Sequence, residues 1–149
     1  MSLELTPISR LKSALGYPKF KSGSVVCALL GNQYHLQKEC ARTLKSLGHT
    51  PIAIPIQASA ADMMRETLHT LIQRKPDMIL AINHLGFDEG NTLGTFLDEC
   101  EIPTAVWYCD SPLTILGNNP IPAQNMTSLF IWERSYIPTL KKHGAQDIH

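Results

Sequence analysis

Three short stretches hold side chains whose types and spacing could do chemistry. Asn83-His84-Leu85-Gly86 follows an apolar run, so a carboxamide and an imidazole stand where a strand gives way to a loop. Gly86 there lets the backbone approach a ligand or adopt positive φ. Trp107-Tyr108-Cys109-Asp110-Ser111-Pro112 sets two aromatics before a carboxylate and a hydroxyl, which is a stacking surface beside a hydrogen-bond acceptor, as sugar and nucleoside sites require. Trp132-Glu133-Arg134-Ser135-Tyr136 also stands at a strand's C-terminal end. Each residue also has a plain structural reading. His84 can satisfy a buried carbonyl, Asn83 can make an Asx-turn, Asp110 before Ser-Pro can shape a turn, and Glu133 can favour a helix start through the dipole. Trp107 and Tyr108 point to opposite faces of a strand, so at least one of them packs under a helix.

The elements that must position these residues are legible from periodicity. Residues 25–30 form a continuous apolar run ending in Gly31-Asn32, the pattern of a parallel strand buried on both faces. Leu36, Cys40, Leu44 and Leu47 make one side of a helix that Gly48 ends, with His35 near its start. Residues 50–56 read as a strand in which Pro51 and Pro55 place two missing N–H groups on one edge, so this strand belongs at the border of the sheet. Ser59-Ala60-Ala61-Asp62 opens a helix with Met64, Leu68, Leu71 and Ile72 as its apolar face. Residues 78–82 are the third strand, and Leu93, Phe96, Leu97 and Cys100 mark the next helix. Residues 104–109 are the fourth strand, 113–126 an extended loop and 128–132 the fifth strand. A last helix carries Tyr136, Ile137 and Leu140.

Repeated strand-helix units with right-handed crossovers predict an α/β three-layer sandwich around a parallel, Rossmann-like sheet of order 2-1-3-4-5. The crevice should open where the winding reverses, walled by Gly31, Asn32, Asn83 and His84, with Asp110 and Ser111 next in line. Residues 1–23 read as an N-terminal extension and 24–149 as the domain. Residues 145–149 fall after a helix end, where another strand ordinarily begins, so the domain is expected to be the first half of a two-lobed protein.

Composition narrows the function. The chain has 149 residues, 44% hydrophobic and 17% charged, with 13 basic against 13 acidic side chains. That is one ordinary globule, with no concentration of Lys and Arg to capture nucleic acid or an anionic membrane. The longest apolar run is far shorter than a membrane helix, and residues 1–14 lack a signal-peptide core, which places the protein in the cytoplasm. Cys27, Cys40, Cys100 and Cys109 form no C-x-x-C pair and read as small core residues, so no metal is expected. Dinucleotide, P-loop and hydrolase-elbow signatures are missing, and no cofactor is expected. A phosphoacceptor receiver domain shares the strand order, but its acidic positions hold Gly31-Asn32 and Asn83 here.

Between Pro76 and Gly144 the chain resembles the N-terminal half of the CgeB-like family, spore-maturation-type glycosyltransferases with two Rossmann-like lobes. The resemblance is carried by Pro76-Asp77 leading to Asn83-His84-Leu85-Gly86, by Ile102-Pro103 leading to Trp107-Tyr108-x-Asp110-x-Pro112, and by Trp132-Glu133-Arg134-Ser135-Tyr136 ahead of Leu140 and Gly144. At Glu133 the family more often carries Asp. The resemblance implies the acceptor-binding N-terminal lobe of a GT-B enzyme. A C-terminal lobe of its own would hold the nucleotide-sugar donor, the acceptor would be a sugar or protein, and no metal would be needed. His84 or Asp110 would then be the base, with Gly31, Asn32, Asn83, Gly86, Trp107, Tyr108, Ser111 and Glu133 lining the substrate site. The alternative is a non-catalytic Rossmann-like module that holds a small ligand or a partner in the same crevice. In a third reading, the loop around 113–121 covers a dimer or interdomain surface.

Overall fold

The computed structural model describes residues 7–31, 36–117, 121 and 124–149. Asn32 and His35 lie outside the described residues. In chain order the elements are α1 (Pro7–Leu15), β1 (Val26–Leu30), α2 (Gln37–Ser46), β2 (Thr50–Ile54), α3 (Ala60–Arg74), β3 (Met78–Ile82) and α4 (Thr92–Glu99). They continue with β4 (Thr104–Trp107), α5 (Pro112–Leu116), β5 (Thr127–Phe130), a 3₁₀ turn (Arg134–Tyr136), α6 (Ile137–Lys142) and β6 (Asp147–Ile148). All neighbouring strands pair in parallel, in the order β2-β1-β3-β4-β5-β6. The fold is the predicted Rossmann-like three-layer α/β sandwich, extended by one strand.

The added strand is the tail after α6. The N–H of His149 donates to the Leu129 carbonyl, and the N–H of Ile131 to the His149 carbonyl. β2 is an edge, as its prolines require, but it stops at Ile54, just before Pro55.

Because partner residues of parallel strands point the same way, the register sorts the sheet into two faces. Ile54, Leu30, Ala81, Val106, Leu129 and Ile148 form one row across all six strands. On this side they meet α1, α3, α4, α5 and α6 in two clusters, one built with Leu71, Leu97 and Ile102, the other with Tyr108 and Leu140. The opposite row runs Ala53, Leu29, Leu80, Ala105, Ser128 and Asp147, and α2 lies on this side against β1 and β2. A right-handed crossover puts α2 there because β1 to β2 is the one step taken in the reverse direction.

The N-terminal extension is tied to the core. Leu15 is fully buried in the first cluster, and the Tyr17 hydroxyl donates to the Pro76 carbonyl at 2.7 Å. The Asp77 carboxylate accepts from the N–H groups of Phe20 and Val26, fastening the chain to the start of β3.

Two helical faces differ from the periodic reading. In α3 the buried residues are Met63, Thr67, Thr70 and Leu71, while Met64 and Leu68 pack at the margin and Ile72 is exposed. In α2 only Gln37 is buried, and Leu47 is 65% exposed. The segment 113–126, expected to be loop throughout, begins with α5, which Pro112 starts and Gly117 ends. β5 ends at Phe130, leaving Trp132 61% exposed and edge-on to Tyr136. All four cysteines are free; Cys27 and Cys100 are buried, Cys40 and Cys109 half-buried. Burial pushes the Cys27 thiol up to about 12. Among the described residues no helix is long and apolar enough to cross a membrane.

Candidate functional site

The carboxyl ends of β1 and β3 flank the point where the winding reverses, which is where ligands enter open α/β sheets, and the β4 end is next in line. Asn83 and His84 both have positive φ, 52° and 61°, and the N–H of Leu85 donates to the Ile82 carbonyl at 3.1 Å. Two left-handed residues closed by that bond make a tight turn of the I′ kind, which Asn tolerates far better than a branched residue would.

The turn aims the Asn83 carboxamide at the neighbouring strand tip. Its Oδ1 accepts from the N–H groups of Cys109 (2.9 Å) and Asp110 (3.2 Å), and its Nδ2 donates to Asp110 Oδ2 at 2.7 Å. Asn83 is therefore a clip between the β3 and β4 tips that orients an exposed Asp110 carboxylate. Ser111 follows, and its carbonyl accepts from the N–H groups of Thr114 and Ile115 at the start of α5.

His84 turns the other way, toward the packed side of the sheet. Its Nδ1 lies 2.6 Å from the Tyr108 hydroxyl, and its ring meets Phe87 at 4.7 Å between centroids. Burial lowers its pKa to about 4, weakly opposed by the Asn91 side chain, so the imidazole is neutral at pH 7. Burial also raises the Tyr108 phenol, which is wholly enclosed. Tyr108 thus reaches the rim only through His84.

The loop beyond is fixed by residues that the sequence reading passed over. The Asp88 carboxylate accepts from the N–H groups of Thr92 and Leu93 and from the Thr92 hydroxyl, closing the N-terminus of α4. A Ser/Thr/Asp cap at that offset was the available signal. Gly86, at φ 91°, lies over the end of β1, where a Cβ would come within 3.0 Å of Leu30 Cδ2 and 3.1 Å of Ile56 Cδ1. Only glycine lets the loop fold back this closely.

The remaining predicted residues are not gathered on the rim. Gly31 is buried, and a Cβ on it would meet the Gln37 side chain at 2.8 Å. Trp107 points to the opposite face of the sheet, alongside α2. Glu133 accepts from the N–H of Ser135 and caps the 3₁₀ turn, which is its structural reading. Asn32 falls outside the described residues. What the structure brings together is Asn83, His84, Gly86, Asp110 and, behind His84, Tyr108. Among the described residues no group of three or more His, Cys, Asp or Glu side chains could hold a metal ion.

This cluster offers an exposed carboxylate held in a fixed orientation by Asn83 and, turned to the packed side, a buried neutral imidazole. Such a set can accept a proton and hydrogen-bond a polyol, and among the described residues it includes no cation to hold a phosphate. No family model matches the chain, and no curated protein is significantly similar to it.

Proposed function

We propose that the chain is the acceptor-binding N-terminal lobe of a GT-B-type, CgeB-like glycosyltransferase of the cytoplasm. A nucleotide-sugar donor would be held by a C-terminal lobe that closes over the β1, β3 and β4 tips. The observation that supports this best is the Asp110 carboxylate, exposed at the β4 tip beside the switch point with one oxygen held by Asn83. In this reading Asp110 takes the proton of the acceptor hydroxyl as its oxygen bonds to the anomeric carbon. The bond to the nucleoside diphosphate breaks, and the leaving group departs with the electron pair. Asn83 serves as the positioning residue, since its carboxamide holds the Asp110 carboxylate and the β4 tip. Neither step runs in the isolated lobe, because donor and acceptor must be held at reacting distance in a closed cleft.

A second reading is favoured by one observation. One Asp110 oxygen is bonded to Asn83 and the His84 ring to Tyr108, so both candidate groups are engaged within the protein, as in a module that only binds. The test is sugar transfer by the protein joined to its donor lobe, assayed with a panel of nucleotide sugars. Asp110→Asn should lower turnover by about 10²- to 10⁴-fold, the range for a lost general base, with the unfolding midpoint unchanged. Undiminished transfer by that variant rejects Asp110 as the base, and saturable sugar binding with no transfer selects the module.

A further inference from the structure

The loop that carries Gly86 also walls a hollow set away from Asp110. Gln57 and Ser59, on the connection from β2 to α3, line a cavity of about 160 Å³ together with Gly86, Phe87 and Asp88. It adjoins the end of β1, where Gly86 approaches Leu30 and Ile56 so closely that a Cβ would press on both. The cavity therefore lies at the reversal of winding itself, on the β2 side, while Asp110 stands on the β4 side.

The lining is amphipathic. Ile56, Met63 and Phe87 supply apolar surface, and the Phe87 ring is kept in place by its contact with His84. Gln57 and Ser59 supply polar groups. The Gln57 amide donates one N–H to the Pro55 carbonyl at 2.9 Å, and a carboxamide has a second N–H and an acceptor oxygen to offer a ligand. Among the described residues no cation lines the cavity, and Asp88 puts a negative charge in its wall, which disfavours a phosphate or carboxylate there. The Asp88 oxygens are engaged by the N–H groups of Thr92 and Leu93 and by the Thr92 hydroxyl, so they are taken up at the start of α4 and not open to an ammonium group. An uncharged ring with an apolar face and hydroxyls round its edge matches these walls, and the volume suits one pyranose.

The separation from Asp110 sets the length of the ligand. From β1 to β4 is two strand spacings, roughly 10 Å. A pyranose seated in the cavity does not span that gap, so a second ring is needed to bring a hydroxyl to the carboxylate. The surface between the two places is one short loop, folded by successive turns that join the Leu85 N–H to the Ile82 carbonyl and the Phe87 N–H to the His84 carbonyl. Leu85, 40% exposed, belongs to it and offers apolar surface along the way.

We propose that this cavity binds one pyranose unit of a neutral oligosaccharide whose next unit lies at Asp110. That the oligosaccharide is an acceptor rests on the proposed function; its binding does not.

The test is amide NMR of the chain titrated with methyl hexopyranosides, with disaccharides of the same sugars and with glucose 6-phosphate. At least one hexoside should shift the Gly86 and Ser59 amides to saturation. Its disaccharide should bind at least about tenfold more tightly and shift Asp110 as well, and glucose 6-phosphate should bind more weakly than either. Ala58→Trp sets a ring into the cavity from an exposed position and should weaken binding at least about tenfold with the unfolding midpoint unchanged. Gln57→Ala should weaken it less, and Glu39→Gln on α2 should change nothing. No saturable shift with any of these sugars, shifts gathered elsewhere, indifference to both Ala58→Trp and Gln57→Ala, or a disaccharide no tighter than its hexoside each overturns the proposal. Sugar transfer without binding in this cavity overturns it while keeping the proposed function, and binding without transfer upholds it while rejecting that function.

Discussion

The two faces of the sheet are made from alternate residues of the same strands, yet they are packed very differently. On one side Leu30, Ala81, Val106 and Leu129 are buried beneath five helices. On the other, Leu80, Trp107 and Phe130 sit beside α2, the only described helix on that side, and Leu47 at its end faces water. Hydrophobic alternation tells which residues share a face. It does not tell whether that face has a partner within the chain.

Substitutions should register that inequality. The largest effect belongs to the packed side: Leu97→Ala empties a fully buried site and should cost about 2–5 kcal/mol in urea denaturation. A loss below about 1 kcal/mol would show that this side is packed no better than the other.

Next is the polar corner of the packed side. The His84 pKa is about 4 in the folded chain against the ordinary value of 6.5, so between those limits the unfolded chain binds the extra proton. Stability is therefore fully present above pH 6.5 and falls as pH drops toward 4, by roughly 3 kcal/mol in all. Asp62, Asp88 and Asp147, held below the usual carboxylate range by their hydrogen bonds, lose their contribution only at lower pH. Denaturation at pH 7.5, 5.5, 4.5 and about 3 separates the two windows, and His84→Gln should flatten the upper one. An unaltered slope in that variant would place the titration elsewhere.

The smallest effect is expected on the open side. Leu47→Ala should change stability by no more than about 0.5 kcal/mol, because its side chain has little contact to lose. A cost near that of Leu97→Ala would mean that the open side is covered in solution.

Much of the fold follows from local chemistry. The apolar run before Gly31, the cap at Ser59 and the prolines of β2 specify strand, helix start and sheet edge by sterics and hydrogen bonding within a few residues. The rim was partly legible for the same reason, since polar Asn83-His84 and Asp110 directly follow strands. Three features needed tertiary structure. The Asn83–Asp110 clip joins residues 27 apart, and only the adjacency of β3 and β4 brings them together. The short tail at β6 carries too few residues for a periodic signal and becomes a strand because β5 offers it an edge. Gln37, the one buried residue of α2, is polar and lies off the apolar stripe, since periodicity defines a stripe on a helix while the neighbours decide what that stripe meets. Local sequence determined the elements and the types of group at their tips; long-range pairing decided which tips meet and which apolar face is the more deeply covered.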